Sequence, residues 1–194
     1  MTTPAEFRSR HDMSTSVPAP GERFNFAQHL IERNAQRPDK VAFIDDAGRL
    51  TYADVADRVR RTAAALLSAG VRREERVLLL MHDCTDWPVA FLGAIYAGIV
   101  PVAVNTLLTA DDYAFMLKNS RAQAALVSAA LLPTLRAAMA QGGHEVKTLL
   151  VSRGDGVDSL AAALAAATPL AEPANTGAHD PGFWLYSSGS TGQP

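Results

Sequence analysis

The sequence predicts an α/β protein with a mostly parallel sheet flanked by helices. Three observations predict it. Strand-like and helix-like segments alternate from about Arg76 onward, the pattern of βα units. The strand candidates are short continuous apolar runs, as strands covered on both faces require. And 48% of the 194 residues are hydrophobic against 20% charged, enough apolar material for a core. At roughly 150 residues per domain this is one domain, with room for an appendage.

The elements follow in order. Met1 to about Arg23 is rich in Pro, Ser and Thr with both charges. It reads as a flexible arm, or as a strap lying on another part of a larger protein. A domain spanning 24–194 then begins. Phe24, Phe26, Ala27, Leu30 and Ile31 have near-helical spacing, broken at Arg37-Pro38-Asp39. VAFIDD from Val41 is a short strand, and Ala47-Gly48 turns it back into a hairpin. Thr51 and Asp54 have capping-box spacing, and the helix they open carries Val55, Val59, Thr62, Ala63, Leu66 and Leu67 on one face. Gly70 is its stop. RVLLLM from Arg76 is a buried strand, and Thr85-Asp86-Trp87-Pro88 opens the next helix, Pro being tolerated in a first turn.

That helix stops at Gly98, and Ile99 to Val104 is another buried strand, with Pro101 expected at an edge or an irregularity. Thr109 and Asp112 repeat the capping-box spacing. Ala124 to Val127 is a strand, Leu131 to Met139 a helix ended by Gly142-Gly143, and Lys147 to Ser152 a strand. Ala161 to Ala167 is a short helix and Ala171 to His179 a linker.

Charge and cysteine use exclude whole classes of function. Eighteen Lys+Arg against twenty Asp+Glu leave a formal charge of −2, so no field draws the chain to nucleic acid. One cysteine, Cys84, excludes an intramolecular disulfide framework and a CxxC metal site. No run approaches the ~18 apolar residues of a membrane span. Residues 1–20 lack the apolar region of a secretory signal. The expectation is a soluble cytoplasmic protein with neither membrane nor nucleic-acid partners.

The chemistry lies in PGFWLYSSGSTGQP, from Pro181 to Pro194. Phe183, Trp184, Leu185 and Tyr186 form an aromatic strand, expected buried. Ser187, Ser188, Gly189, Ser190, Thr191 and Gly192 follow at once. Glycines let backbone N–H groups approach phosphate oxygens and hydroxyls add donors, so this is a phosphate-cradle arrangement. A flexible Gly/Ser linker has the same composition but no aromatic strand leading into it. The segment matches neither a Walker A loop nor an esterase nucleophile elbow.

FWLYSSGSTGQP resembles the phosphate-loop signature of the adenylate-forming superfamily: acyl-CoA synthetases, aryl-CoA ligases, luciferases and peptide-synthetase adenylation domains. Together with FNFAQHLIERNAQRPDKVAFIDD and PVAFLGAIYAGIVPVAVNTLLTADDYAFMLKNSRAQAALVS, it resembles the N-terminal part of bacterial benzoate–CoA ligases. The resemblance runs from about Phe24 to Pro194. It implies that the chain is part of the large N-terminal domain of such an enzyme. It implies ATP, Mg²⁺ and CoA as reactants and cofactor, a small aromatic carboxylate as substrate, and Ser187, Ser188, Gly189, Ser190, Thr191 and Gly192 as the residues that hold ATP phosphates. Whether Ser187 also contacts Mg²⁺ is left open by it, as is a homodimer.

The family's loop continues with Lys-Gly, where this chain has no further residue. Its acyl pocket, adenine segment, Mg²⁺-binding Glu, hinge and catalytic Lys lie downstream. The expectation is therefore a first third of an aryl-CoA ligase, with no catalytic residue of its own and inactive without the remainder. Another acid–thiol ligase, or a non-catalytic α/β interaction module, are the other readings.

The remaining polar residues read as structural. Cys84 has no paired His and reads as a small hydrophobe or inert thiol. His82 and Asp83 sit at a strand's carboxyl end, where α/β sheets bind ligands. His11, His29, His144 and His179 lack metal-ligand spacing. Arg60-Arg61 and Arg72-Arg73 read as solvated faces, Asn105, Thr106 and Thr109 as helix capping, and Trp87 and Trp184 as core.

Overall fold

The structure, a computed structural model, describes residues 19–187. Helix α1 (Phe26–Asn34) starts at Asn25, whose side chain accepts the Gln28 amide at 3.1 Å and donates to the Ile95 carbonyl at 2.9 Å. One residue thus caps a helix and ties it to another. Strands β1 (Val41–Asp45) and β2 (Gly48–Thr51) form the expected antiparallel hairpin. Asp45 closes its turn by accepting the amides of Ala47 and Gly48, and Gly48 takes a φ of 148° there.

Helix α2 (Tyr52–Ser68) has the full capping box of Thr51 and Asp54. It ends in a Schellman motif. Gly70, at φ 85°, donates to Leu67, and Val71 donates to Leu66.

The chain then alternates β3 (Arg76–Leu80), α3 (Asp86–Tyr96), β4 (Val100–Ala103), α4 (Ala110–Ser120), β5 (Ala124–Ser128), α5 (Leu132–Ala140), β6 (Thr148–Ser152), α6 (Leu160–Ala166) and β7 (Trp184–Leu185). The sheet order is β6-β5-β3-β4-β7, and every pairing is parallel. Successive strand residues point to opposite faces. Val77, Leu79, Ala124, Leu126 and Leu150 join the core under α1, α2, α3 and α6. Leu78, Leu80, Ala125, Val127 and Val151 join the core under α4 and α5. The continuous apolar runs are needed because both faces are covered.

The connections share one hand. Moving from β3 to β4 the chain crosses on the α3 face; moving back from β4 to β5 it crosses on the α4 face. Direction and face reverse together, which preserves handedness, as the right-handed rule for parallel units demands. Helices α2 and α3 approach closely because Gly93 is bare. A Cβ there would lie 2.5 Å from the Cβ of Thr62, which is fully buried.

Four expectations need correction. Phe24 lies outside α1, its amide bonded to Thr176 O at 2.9 Å. Ala171 to His179 is no free linker. Buried Tyr96 donates its hydroxyl to Ala171 O at 3.1 Å, and Ala174 N returns a bond to Tyr96 O at 2.8 Å. A buried phenol needs an acceptor, and this segment supplies it.

Pro101 sits in an interior strand. The amides of Val100 and Val104 both turn to β3, so the Pro101 nitrogen faces the other side, where β7 pairs only from Val102. Last, the aromatic strand is not buried. Phe183, Trp184 and Leu185 are 51%, 39% and 67% exposed, because β7 is an edge strand paired with β4 alone among the described residues.

Candidate phosphate site at the carboxyl edge of the sheet

In a parallel sheet all strands end on the same side, and ligands bind beyond those ends. The pairing of Ala103 with Leu185 brings the end of β7 level with the end of β4. Tyr186 then sets the direction in which the chain leaves. Its hydroxyl donates to Asn119 Oδ1 at 2.7 Å, and its ring meets Phe115 edge-on at 6.5 Å. Partial burial on α4 pushes its pKa up.

Ser187 follows, exposed at the carboxyl edge. Ser188, Gly189, Ser190, Thr191 and Gly192 lie outside the described residues. The structure therefore seats the strand and the first residue of the expected phosphate loop where a ligand of this sheet would bind.

The neighbouring loop after β4 is pinned. Tyr113 donates its hydroxyl to Asn105 O at 2.8 Å and accepts the Leu108 amide at 3.2 Å. The Asn105 side chain accepts the Leu107 amide, and Thr109 with Asp112 caps α4. Thr109 thus caps the helix as expected, whereas Asn105 shapes the turn before it instead of capping. Burial raises the Tyr113 pKa, and the hydrogen bonds from Thr109 hold the Asp112 carboxyl below its usual value.

A second polar group at this edge was not legible in the sequence. Asp45 accepts the Thr85 amide at 2.6 Å and pairs with Arg153. Its carboxylate caps the start of α3, where Thr85 makes no side-chain cap bond. The bond from the Thr85 amide is the main reason that the Asp45 pKa falls to about 2, with the Ala47 amide and Arg153 adding to it. Ser152 donates to Asp86 at 2.7 Å, and the Ser128 hydroxyl accepts the His82 amide at 2.9 Å.

Every one of these groups is spent on another part of the chain. The cluster fastens the hairpin, the loop after β3 and the end of β6 together. Asp45 and Arg153 lie 108 positions apart, so no spacing rule could pair them. Cys84 Sγ lies 4.0 Å from the Ser152 hydroxyl. Among the described residues no group of three or more His, Cys, Asp or Glu could hold a metal ion, and no helix is long and apolar enough to cross a membrane. Trp87 packs half-buried against Phe91, whereas Trp184 lies at the sheet edge under the Arg76 guanidinium.

The sequence matches the AMP-binding enzyme family over residues 30–194. It is 49% identical to the benzoate–CoA ligase of Thauera aromatica over 176 residues, which cover 89% of this chain and 33% of that protein. The fold superposes on a benzoate CoA ligase from Burkholderia xenovorans LB400 with a TM-score of 0.79 and 46% identity, covering 84% of this chain and 32% of the other. It also superposes on the N-terminal domain of FACL13 from Mycobacterium tuberculosis, with a TM-score of 0.79 and 30% identity, covering 88% of this chain and 42% of that domain. The chain thus spans about a third of the length of the ligases it matches.

Proposed function

The chain belongs to the AMP-binding enzyme family, and from that premise we propose that it is the N-terminal third of an ATP-dependent, AMP-forming aryl-CoA ligase acting on benzoate. The observation that carries this reading is the hydroxyl- and glycine-rich run from Ser187 to Gly192, led by a strand seated at the carboxyl edge of a parallel sheet. The likeness to benzoate–CoA ligases supports the choice of acid.

The reaction has two steps. The benzoate carboxylate attacks the α-phosphorus of ATP, the bond to the β-phosphate breaks, and benzoyl-adenylate and pyrophosphate result. The thiolate of CoA then attacks the acyl carbon and AMP departs with the bonding electron pair. The part of this chain is to hold the outer phosphates. Backbone N–H groups and the hydroxyls of Ser187, Ser188, Ser190 and Thr191 donate to the phosphate oxygens, and Gly189 and Gly192 let the backbone come close. Phosphates held still make pyrophosphate a departing group in a fixed direction.

Mg²⁺ neutralises triphosphate charge when bound. Among the described residues no group of three or more His, Cys, Asp or Glu could hold it, and the Ser187 hydroxyl is the one ligand the resemblance leaves open, so no step is assigned through it. The reading places the enzyme in the cytoplasm, where ATP and CoA are available.

The test joins this chain to the remaining two thirds of the Thauera aromatica ligase in one polypeptide. Benzoate-dependent pyrophosphate release and benzoyl-CoA formation are expected from the joined protein, and neither from the 194-residue chain alone. A folded joined protein that activates a different acid in preference to benzoate, or none, overturns the proposal. So does pyrophosphate release by the chain alone.

A further inference from the structure

Strand β7 pairs with β4 at two positions, Trp184 with Val102 and Leu185 with Ala103. Two pairs alone do little to fix a register. A slip of one residue would carry Ser187 about 3.3 Å along the strand and turn Tyr186 to the opposite face of the sheet. Side chains supply the hold that so short a ladder lacks.

Trp184 and Tyr186 are two residues apart and share the face that looks toward α4. The Arg76 guanidinium lies 5.6 Å from the centre of the Trp184 ring, and its Nε donates to the Ser120 carbonyl at 2.6 Å. One side chain thus touches both β7 and the end of α4. Tyr186 packs with the core under α4 and α5, and its hydroxyl donates to Asn119 Oδ1 at 2.7 Å. The end of α4 is itself fixed. Arg121 Nε donates to one oxygen of Glu145 at 2.6 Å, and Gln123 Nε2 donates to the other at 2.7 Å.

Asn119 is exposed in the last turn of α4, where Asn is a weaker helix former than Ala or Lys. Among the described residues, the one hydrogen bond of its side chain is the one from Tyr186. That bond exists in a single register of β7.

We propose that Asn119 and Tyr186 are a positioning pair for the adenylation step. Their hydrogen bond sets where Ser187, the first of the proposed phosphate donors, leaves the sheet. The pair acts through the backbone and not on the reacting atoms. Donors to a reacting group lose much of their effect when displaced by about 1 Å, and Tyr186 is the last residue before these donors. The inference rests on the function proposed above.

The test uses the joined protein with Tyr186→Phe, Asn119→Leu, both together, and Asn119→Asp, which keeps an acceptor oxygen for the phenol. The two half-reactions are timed separately. Benzoate-dependent pyrophosphate release uses the outer phosphates of ATP, whereas thioester formation from supplied benzoyl-adenylate and CoA does not. We expect Tyr186→Phe and Asn119→Leu each to slow pyrophosphate release by about tenfold, the scale of one net hydrogen bond, and to leave thioester formation unchanged. The double variant is no slower than either single one, because both remove the same bond. Asn119→Asp keeps the unsubstituted rate. Amide exchange at Leu185 to Ser187, read without nucleotide, quickens in Tyr186→Phe and Asn119→Leu and not in Asn119→Asp.

Unchanged pyrophosphate release in the two single variants overturns the proposal. So does equal slowing of both half-reactions, which makes the pair a structural tie, and so does a double variant slowed by the product of the single effects. A folded joined protein that activates no acid removes the proposed function instead. Amide exchange then decides: exchange that quickens only where the bond is lost upholds the pair's hold on Ser187, and exchange indifferent to both variants overturns it.

Discussion

Asp45 concentrates much of the local physics in one side chain. Its carboxylate receives the Thr85 amide, two amides of its own turn and the Arg153 guanidinium, and it is 12% exposed. A carboxyl whose pKa is lowered on folding stabilises the fold above its ordinary value and loses that contribution as pH falls through the folded value. For Asp45 the window runs from 3.8 down to about 2. Asp45→Asn is therefore expected to melt below the unsubstituted chain near neutral pH, with the gap closing as pH falls across that window. Calorimetric melting at a series of acid pH values checks it. A gap that stays constant would assign the role of Asp45 to packing instead of charge.

The elements owe their limits to short-range chemistry. Thr51 with Asp54 and Thr109 with Asp112 each satisfy orphan donors at a helix start through reciprocal side-chain and backbone bonds. Thr109→Ala removes one such set, and we expect a loss of about 1 kcal/mol, within the usual range for a cap. Denaturant titration reads this as a lower midpoint at an unchanged slope.

Both capping boxes and the glycine stop at Gly70 were legible in the sequence, because their partners lie within a few residues. The exposure of β7 was not. An apolar aromatic strand states only that it will be covered, and the neighbour that covers it is no part of its own spacing. The fastening of Ala171 to His179 was equally hidden, since it depends on a Tyr96 hydroxyl some 75 positions away.

Over the whole molecule, the proposed phosphate loop and the sheet are expected to perform separate tasks, and variants can separate them. In the joined protein, Ser190→Ala with Thr191→Ala is expected to slow benzoate-dependent pyrophosphate release by about a hundredfold, the scale of losing preorganised donors to developing charge. The melting temperature should barely move, because the role proposed for both hydroxyls is to hold phosphate and not to fill a core. Parallel measurement of rate and melting decides the matter. Equal losses in both would make the segment a structural turn.

The sequence by itself determined the class of fold, the order of its elements, their caps and the segment proposed to hold phosphate. Each of these is written in neighbouring residues: apolar runs of strand length, capping spacings, glycine stops, and hydroxyls and glycines set directly after a strand. Only the tertiary structure decided which strand lies beside which, that β7 lies at one edge among the described residues with Phe183 and Trp184 exposed, and that Asp45 serves Thr85 and Arg153 across the carboxyl end of the sheet. Those contacts join residues scores of positions apart. They exist because a parallel sheet brings all its strand ends to one side, and the chain in between carries no mark of that meeting.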